Sequence, residues 1–118
     1  MFGKTLKHIV DNVEGGIGAV VMGVDGIPVE SYTRQPTKGD VSTIGTEFSF
    51  IVSQVRKAAE TLEVGECQDI SVKAENLILV IRLINDQYYL ATALAADGNF
   101  GKARFLMRMA AADVVAQL

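Results

Sequence analysis

An apolar run from Ile17 to Val24 meets the dipeptide Asp25-Gly26, and a more polar run, Ile27–Thr33, follows. Asp-Gly between two strand-like runs predicts a β-hairpin with a type I′ turn, because both residues tolerate a positive φ. Ile17–Met22 is apolar at odd and even positions alike, which is typical of a strand covered on both faces. Pro28 has no N–H for a ladder. We therefore expect a central first strand and a second strand at a sheet edge.

Three segments carry apolar residues at the spacing of a helix face. The first, Met1–Glu14, is expected to end at Gly15-Gly16 as a C-cap. The second starts at a cap supplied by Asp40 or Ser42 and ends before Gly65. Its apolar stripe is Val41, Ile44, Phe48, Ile51, Val52, Val55, Ala59 and Leu62. The third helix spans about Phe100–Gln117, with the apolar face Ala103, Leu106, Met107, Ala110, Ala111, Val114 and Leu118.

Three further strands are predicted between the second and third helices. They cover Glu66–Ala74, Leu77–Ile84 and Gln87–Ala95, and short polar turns join them. Consecutive strands with short turns pair antiparallel. The first strand needs a second apolar neighbour, and the last strand offers the apolar free edge. The sequence therefore predicts an α+β fold, α-β-β-α-β-β-β-α, with a five-stranded antiparallel sheet in the order 2-1-5-4-3 and helices on both faces. The segment Arg34–Asp40 is predicted to be a loop.

Length and charge narrow the classes of function. The 118 residues are expected to form a single domain, 1–118. A net charge of −3 argues against a nucleic-acid partner. The single cysteine, Cys67, cannot form an internal disulfide and suggests a reducing compartment. The longest apolar run free of glycine, Leu77–Ile81, is too short to span a bilayer. We therefore expect a cytoplasmic protein with no membrane insertion.

Candidate catalytic motifs do not assemble into a site. Gly98–Ala103 lies between a strand and a helix, but it lacks the glycine spacing and the Ser/Thr of a phosphate loop, so helix entry is the better interpretation. His8 has no nucleophile placed beside it by sequence, and one His with one Cys cannot build a zinc site. We expect no catalytic residues, no cofactor and no metal. A basic patch, Lys102, Arg104 and Arg108, is either a solvated face or a contact for an acidic partner.

Phe50 and the polar third strand point instead to an interaction surface. At 100° per residue Phe50 lies nearly opposite Phe48, outside the apolar stripe of the second helix. An exposed aromatic ring and an unpaired strand edge in one molecule are both explained by a homodimer about a two-fold axis. The predicted interface residues are Thr46, Phe50, Ser53, Gln54, Lys57, Cys67, Asp69, Ser71 and Lys73.

The chain resembles the roadblock/dynein-light-chain family, in particular bacterial single-domain members related to the gliding-motility GTPase regulator. The glycine-led strand and D-G hairpin (Gly18–Val29), the long helix from Asp40 and the segment Asp97–Arg104 carry the resemblance. It implies a profilin-like fold and dimers, with itself or a paralogue, through the second helix and third strand. It also implies a non-catalytic platform for small Ras-like GTPases. Arg34 and Arg56 are weak candidates for an arginine finger.

The residues leave two other functions open. A structural adaptor would dimerise and tether proteins without regard to GTP or GDP. A small-molecule sensor would need an internal polar pocket, for which only Thr92 and Arg82 are candidate buried polar residues.

Overall fold

The computed structural model of the protein describes residues 1–34 and 40–118, and the elements follow the predicted order. The bounds are α1 Gly3–Asp11, β1 Gly16–Gly23, β2 Pro28–Thr33, α2 Val41–Leu62, β3 Asp69–Lys73, β4 Ile78–Leu83, β5 Tyr88–Leu94 and α3 Phe100–Gln117. Most of the predicted loop Arg34–Asp40 lies outside the described residues.

The strands form one antiparallel sheet in the order β2-β1-β5-β4-β3, which confirms the predicted α+β fold. Every residue of β1 is buried, as expected for the strand between β2 and β5. β2 is mostly exposed and forms one edge, while β3 forms the other. The apolar residues on both faces of β1 thus predicted its central place in the sheet, and the proline of β2 predicted one edge.

Helices cover both faces of the sheet and divide the core in two. α1 and α3 contact each other and pack on one face, and α2 packs on the other face across β1, β2 and β5. Alternate residues of each strand therefore enter different cores: Val21 and Leu90 face α1 and α3, whereas Val20 and Ile81 face α2. Each such large side chain, fully buried, contributes on the order of 2 kcal/mol to the hydrophobic free energy of folding.

The β1–β2 turn differs from the predicted type I′ turn. The amide of Gly23 donates to the carbonyl of Ile27 (2.9 Å), so the loop has the three residues Val24, Asp25 and Gly26. Only Gly26 has a positive φ, 88°, while Asp25 instead uses its carboxylate to accept the Ile27 amide at 3.1 Å. This is the three-residue hairpin that closes with a left-handed glycine. The Asp-Gly signal located the hairpin correctly, but the predicted turn type was wrong.

The end of α1 also differs from the prediction. The helix stops at Asp11, with Asn12 as its C-cap, instead of running to Glu14. The Asn12 side chain donates to the carbonyl of His8 at 2.8 Å, which satisfies one of the last helical acceptors. Gly15, at φ 83°, belongs to the following turn, where its carbonyl accepts the Ala95 amide and ties α1 to the end of β5.

Helix α2 begins as predicted and ends outside the core. The carboxylate of Asp40 accepts the Thr43 amide at 2.8 Å and caps the helix, and this hydrogen bond holds the pKa of Asp40 below its ordinary value. Val41, Gly45 and Val52 are the buried residues, so burial stops in the middle of the helix. Leu62 and Ile51, which the apolar stripe placed in the core, are exposed. In α3 the predicted face is largely buried, but the terminal Leu118 is exposed.

Within residues 1–34 and 40–118, the structure contains no helix that is both long and apolar enough to cross a membrane.

Candidate interaction surface on helix α2 and strand β3

The outer face of α2 presents an aromatic ring to solvent. Phe50 is 70% exposed, and the neighbouring predicted residues Ser53, Gln54 and Lys57 are exposed as well. Thr46 is different, because its hydroxyl donates to the carbonyl of Gly26 at 2.8 Å and fixes α2 against the β1–β2 hairpin. The structure therefore leaves four of the five predicted helix residues on an open surface and gives the fifth an intramolecular role.

Two apolar residues missing from the predicted surface extend it. Ile51 is 42% exposed and Leu62 is 69% exposed. At 3.6 residues per turn, both lie on the flank of α2 opposite Arg56, whose guanidinium donates to a carbonyl of the β4–β5 turn. They were assigned to the core because their spacing fits the apolar stripe. At about 100° per residue, Ile51 lies about 50° and Leu62 about 30° from the centre of the stripe, both on the side away from the buried Val52, so periodicity offered only a weak signal that they lie at its margin.

The β3 edge is shorter than predicted and its side chains divide between the two faces of the sheet. β3 starts at Asp69, so Cys67 lies before the strand, where it packs half-buried with the core that faces α2. Ile70 and Val72 face the same core. Asp69, Ser71 and Lys73 point to the opposite face, the side of α3, and Asp69 forms a 2.9 Å salt bridge with Arg104. Cys67 is therefore not aligned with the other predicted strand residues.

The unpaired edge of β3 has a self-complementary sequence, Asp69-Ile-Ser-Val-Lys73. In an antiparallel pair centred on Ser71, Asp69 would lie opposite Lys73 of a second copy, and Ile70 would lie opposite Val72. Opposite charges in directly facing positions stabilise antiparallel pairs. The other sheet edge, β2, contains Pro28 and cannot offer a complete set of amide donors.

An open groove lies beside this surface, between the second half of α2 and the β4–β5 turn. It encloses about 760 Å³ and is lined by acidic residues of α2 and the segment after it, together with Arg56 and Cys67. Arg56 is bonded to the Asn85 carbonyl, so its guanidinium is engaged rather than directed outward. Arg34 has an exposed side chain, and its amide donates to the carbonyl of Ile17 at 2.7 Å.

The remaining candidates take structural roles. Asn99 caps α3 by accepting the Lys102 amide at 3.1 Å, so Gly98–Ala103 is a helix entry. Thr92 is fully buried in the sheet, and its hydroxyl oxygen has no hydrogen-bond partner among the described residues. Arg82 is only half-buried and lies on the α3 side of the sheet. Arg82 and Thr92 lie on the same face of the sheet, and the side chains packed around Thr92 are apolar.

These features define a class of protein: an α+β domain with a helix pair on one face of a five-stranded sheet, a single helix on the other face, and strand β3 at one edge of the sheet. The chain belongs to the Roadblock/LC7 domain family, which it matches over residues 4–95. The fold expected from the resemblance is thereby confirmed.

Solved structures similar to this chain include bacterial members of the same family. MglC from Myxococcus xanthus is 39% identical, with 99% of this chain and 98% of that chain covered and a TM-score of 0.72. A Roadblock/LC7 domain from Streptomyces avermitilis is 17% identical, with 94% and 92% covered and a TM-score of 0.81. The gliding protein MglB from Thermus thermophilus is 14% identical, with 97% and 85% covered and a TM-score of 0.84. No curated protein sequence matches the chain significantly.

Proposed function

We propose that the protein is a homodimeric, non-catalytic regulator that binds a small Ras-like GTPase and modulates its nucleotide state or location. Membership of the Roadblock/LC7 family and the likeness to MglC support the regulatory role. Self-association is in keeping with MglB, a relative of the same fold for which a tetrameric arrangement is described.

The observation that carries the dimer is the exposed Phe50 ring on the same domain as the self-complementary edge of β3. Phe50, Ile51 and Leu62 are each exposed on α2, and a monomer would leave these apolar side chains in water. A second copy paired through β3 would satisfy the free amides and carbonyls of that edge. The same contact would bring the two α2 helices to one side of a continuous sheet.

The two-fold axis of such a pair runs perpendicular to the sheet and passes near Ser71. This operation keeps each face of the sheet on its own side, so the α2 helices of the two protomers lie on the same face of the continuous sheet. Ile51 and Leu62 then become candidates for the contact between helices, and Asp69 and Lys73 for paired charges on the opposite face. The GTPase would bind the assembled dimer.

Binding to GTPases in defined nucleotide states tests the regulatory role. Ras-like GTPases from the same source are loaded with a GTP analogue or with GDP, and their affinities for the purified protein are compared. We expect tighter binding of one nucleotide state, together with a changed rate of hydrolysis or nucleotide exchange. Equal affinity for both states would instead identify a nucleotide-indifferent adaptor, and the absence of binding to all of them would contradict a GTPase partner.

A further inference from the structure

Three arginines converge on the face of the sheet opposite α2. Arg82 of β4 lies between Ile81 and Leu83, which face α2, so Arg82 faces α3. Arg104 and Arg108, one helical turn apart on α3, meet it there. Together with Asp69, Gly101 and Phe105 they line an open pocket of about 220 Å³. The chain as a whole carries a net charge of −3, so this concentration of positive charge is local.

The positive charge of this arginine pocket is mostly uncompensated. Asp69 is the pocket's single carboxylate, and it bonds to Arg104 at 2.9 Å. In residues 1–34 and 40–118 neither Arg82 nor Arg108 has an acidic group within salt-bridge distance. The Nε atom of Arg82 is buried and has no acceptor among the described residues.

Aromatic rings hold two of the guanidiniums in place. The Cζ atom of Arg104 lies 5.7 Å from the centroid of Phe100, and that of Arg108 lies 5.7 Å from the centroid of Phe105. Stacking on a ring leaves the N–H edge of a guanidinium free to donate. Restricting the side chains in this way also lowers the entropy lost when a ligand binds.

We propose that the arginine pocket binds the carboxylates of an acidic peptide segment carried by a partner protein. Guanidinium groups donate two parallel hydrogen bonds to a carboxylate, which is the geometry that three adjacent arginines offer. Phe105, which lines the pocket, is 50% exposed, and Met109, one turn further along α3, is 61% exposed. A peptide with apolar residues next to its acidic ones covers both features, whereas a free inorganic anion would leave the apolar pair in water.

Fluorescence anisotropy of a labelled peptide tests the proposal. The probe is acetylated Glu-Glu-Leu-Phe-Glu-Glu, with Gln-Gln-Leu-Phe-Gln-Gln as its uncharged counterpart, at an ionic strength of about 0.15 M. We expect the acidic peptide to bind and the amide peptide to bind at least about ten-fold more weakly, since each lost charge-assisted hydrogen bond is worth roughly 1.5 kcal/mol or more. Equal binding of both peptides, or of neither, would overturn the proposal.

Variants of the chain locate the binding site. Arg108→Gln and Arg82→Gln should each weaken binding about ten-fold. Lys102→Gln, which removes an exposed positive charge from the same helix outside the pocket, should leave the affinity within about two-fold. Arg108 is exposed, so its variant tests the site even if Arg82→Gln lowers stability. An equal loss in all three variants would show that the binding is nonspecific attraction and would overturn the proposal.

Competition distinguishes a peptide site from a small-anion site. Inorganic phosphate at the concentration of the peptide should not displace it, because phosphate is too small to cover the apolar side chains of Phe105 and Met109 as well as the arginines. Full displacement at equal concentration would overturn the assignment to a peptide. Phe50→Asp, on the other face of the sheet, should bind the peptide normally, so failure of the proposed dimer and failure of the pocket give separate results.

Discussion

At the scale of single residues, Tyr89 joins α2 to the sheet by a buried hydrogen bond. Its side chain is fully buried, and its hydroxyl donates to the carbonyl of Gly45 at 2.6 Å. Helix α2 approaches β1 closely at Gly45, because a Cβ there would lie 2.6 Å from the Met22 Cε. Tyr89 was predicted only as part of an apolar strand, since a sequence does not show which carbonyl a buried hydroxyl will meet.

Replacing Tyr89 with Phe should lower the free energy of unfolding by about 1 kcal/mol at neutral pH, since one buried hydrogen bond is lost. Burial raises the pKa of Tyr89 from 10.0 to about 12. The unfolded chain therefore loses this proton first, and the stability it provides is present below pH 10 and is lost as the pH rises from 10 to 12. Urea denaturation across this range should show a smaller loss of stability for Tyr89→Phe than for the wild-type chain.

Tyr88→Phe is the matched control, because Tyr88 is only half-buried and lies next to Tyr89 in the same strand. It should leave the alkaline loss of stability unchanged. An alkaline profile of Tyr89→Phe identical to that of the wild-type chain would contradict the role given to the buried hydroxyl.

At the scale of elements, periodicity predicted which segments are helices and strands better than where each one stops. The sheet order followed from the double-sided apolar pattern of β1 and the proline of β2. The stripe of α2 was also clear, but periodicity gives only a direction around the helix. How far the sheet extends beneath the helix depends on the tertiary structure, which periodicity does not give. For this reason Leu62 was wrongly placed in the core. Likewise, Cys67 was aligned with Asp69 because the predicted strand began at Glu66, three residues before the observed start.

The edge strand β3 permits a charge-exchange test of the proposed pairing. Lys73→Glu alone should weaken the dimer, because the new carboxylate would lie opposite Asp69 of the partner subunit. Asp69→Lys alone should weaken it also, by placing two cations opposite each other. An equimolar mixture of the two variants should restore the dimer as a heterodimer, since each lysine then faces an acid. Sedimentation velocity at micromolar concentration measures all three samples.

Asp69→Lys also removes the salt bridge to Arg104, so thermal unfolding of that variant should be recorded alongside. A folded mixture that sediments as monomers would contradict pairing through β3. Restoration by the mixture cannot come from improved folding of either chain, which makes this outcome specific for the interface.

At the scale of the whole molecule, the exposed outer face of α2 should determine the oligomeric state. Phe50→Asp should convert the proposed dimer to a monomer at micromolar concentration, because a carboxylate would be buried without a partner. Its fold should be unchanged, since the Phe50 ring is 70% exposed in the single chain. Sedimentation mass and circular dichroism measure the two effects separately.

Val115→Asp is the control for this variant, because it places the same charge at an exposed apolar position on α3, on the other side of the sheet. It should remain dimeric. An unchanged mass for Phe50→Asp would contradict the placement of the interface on α2.

Strand β4 lies between the side of the sheet covered by α2 and the side that carries the arginine pocket. Ile81 and Leu83 support the core beneath α2, and Arg82 between them reaches the arginine pocket on the opposite side. Successive residues of one strand therefore serve different purposes, because alternate side chains point to opposite faces of the sheet. A partner on the outer face of α2 and a peptide in the arginine pocket would lie on opposite faces of the sheet, and selection could alter one of these faces while the other stays intact. The proposed β3 pairing and the pocket, by contrast, share Asp69.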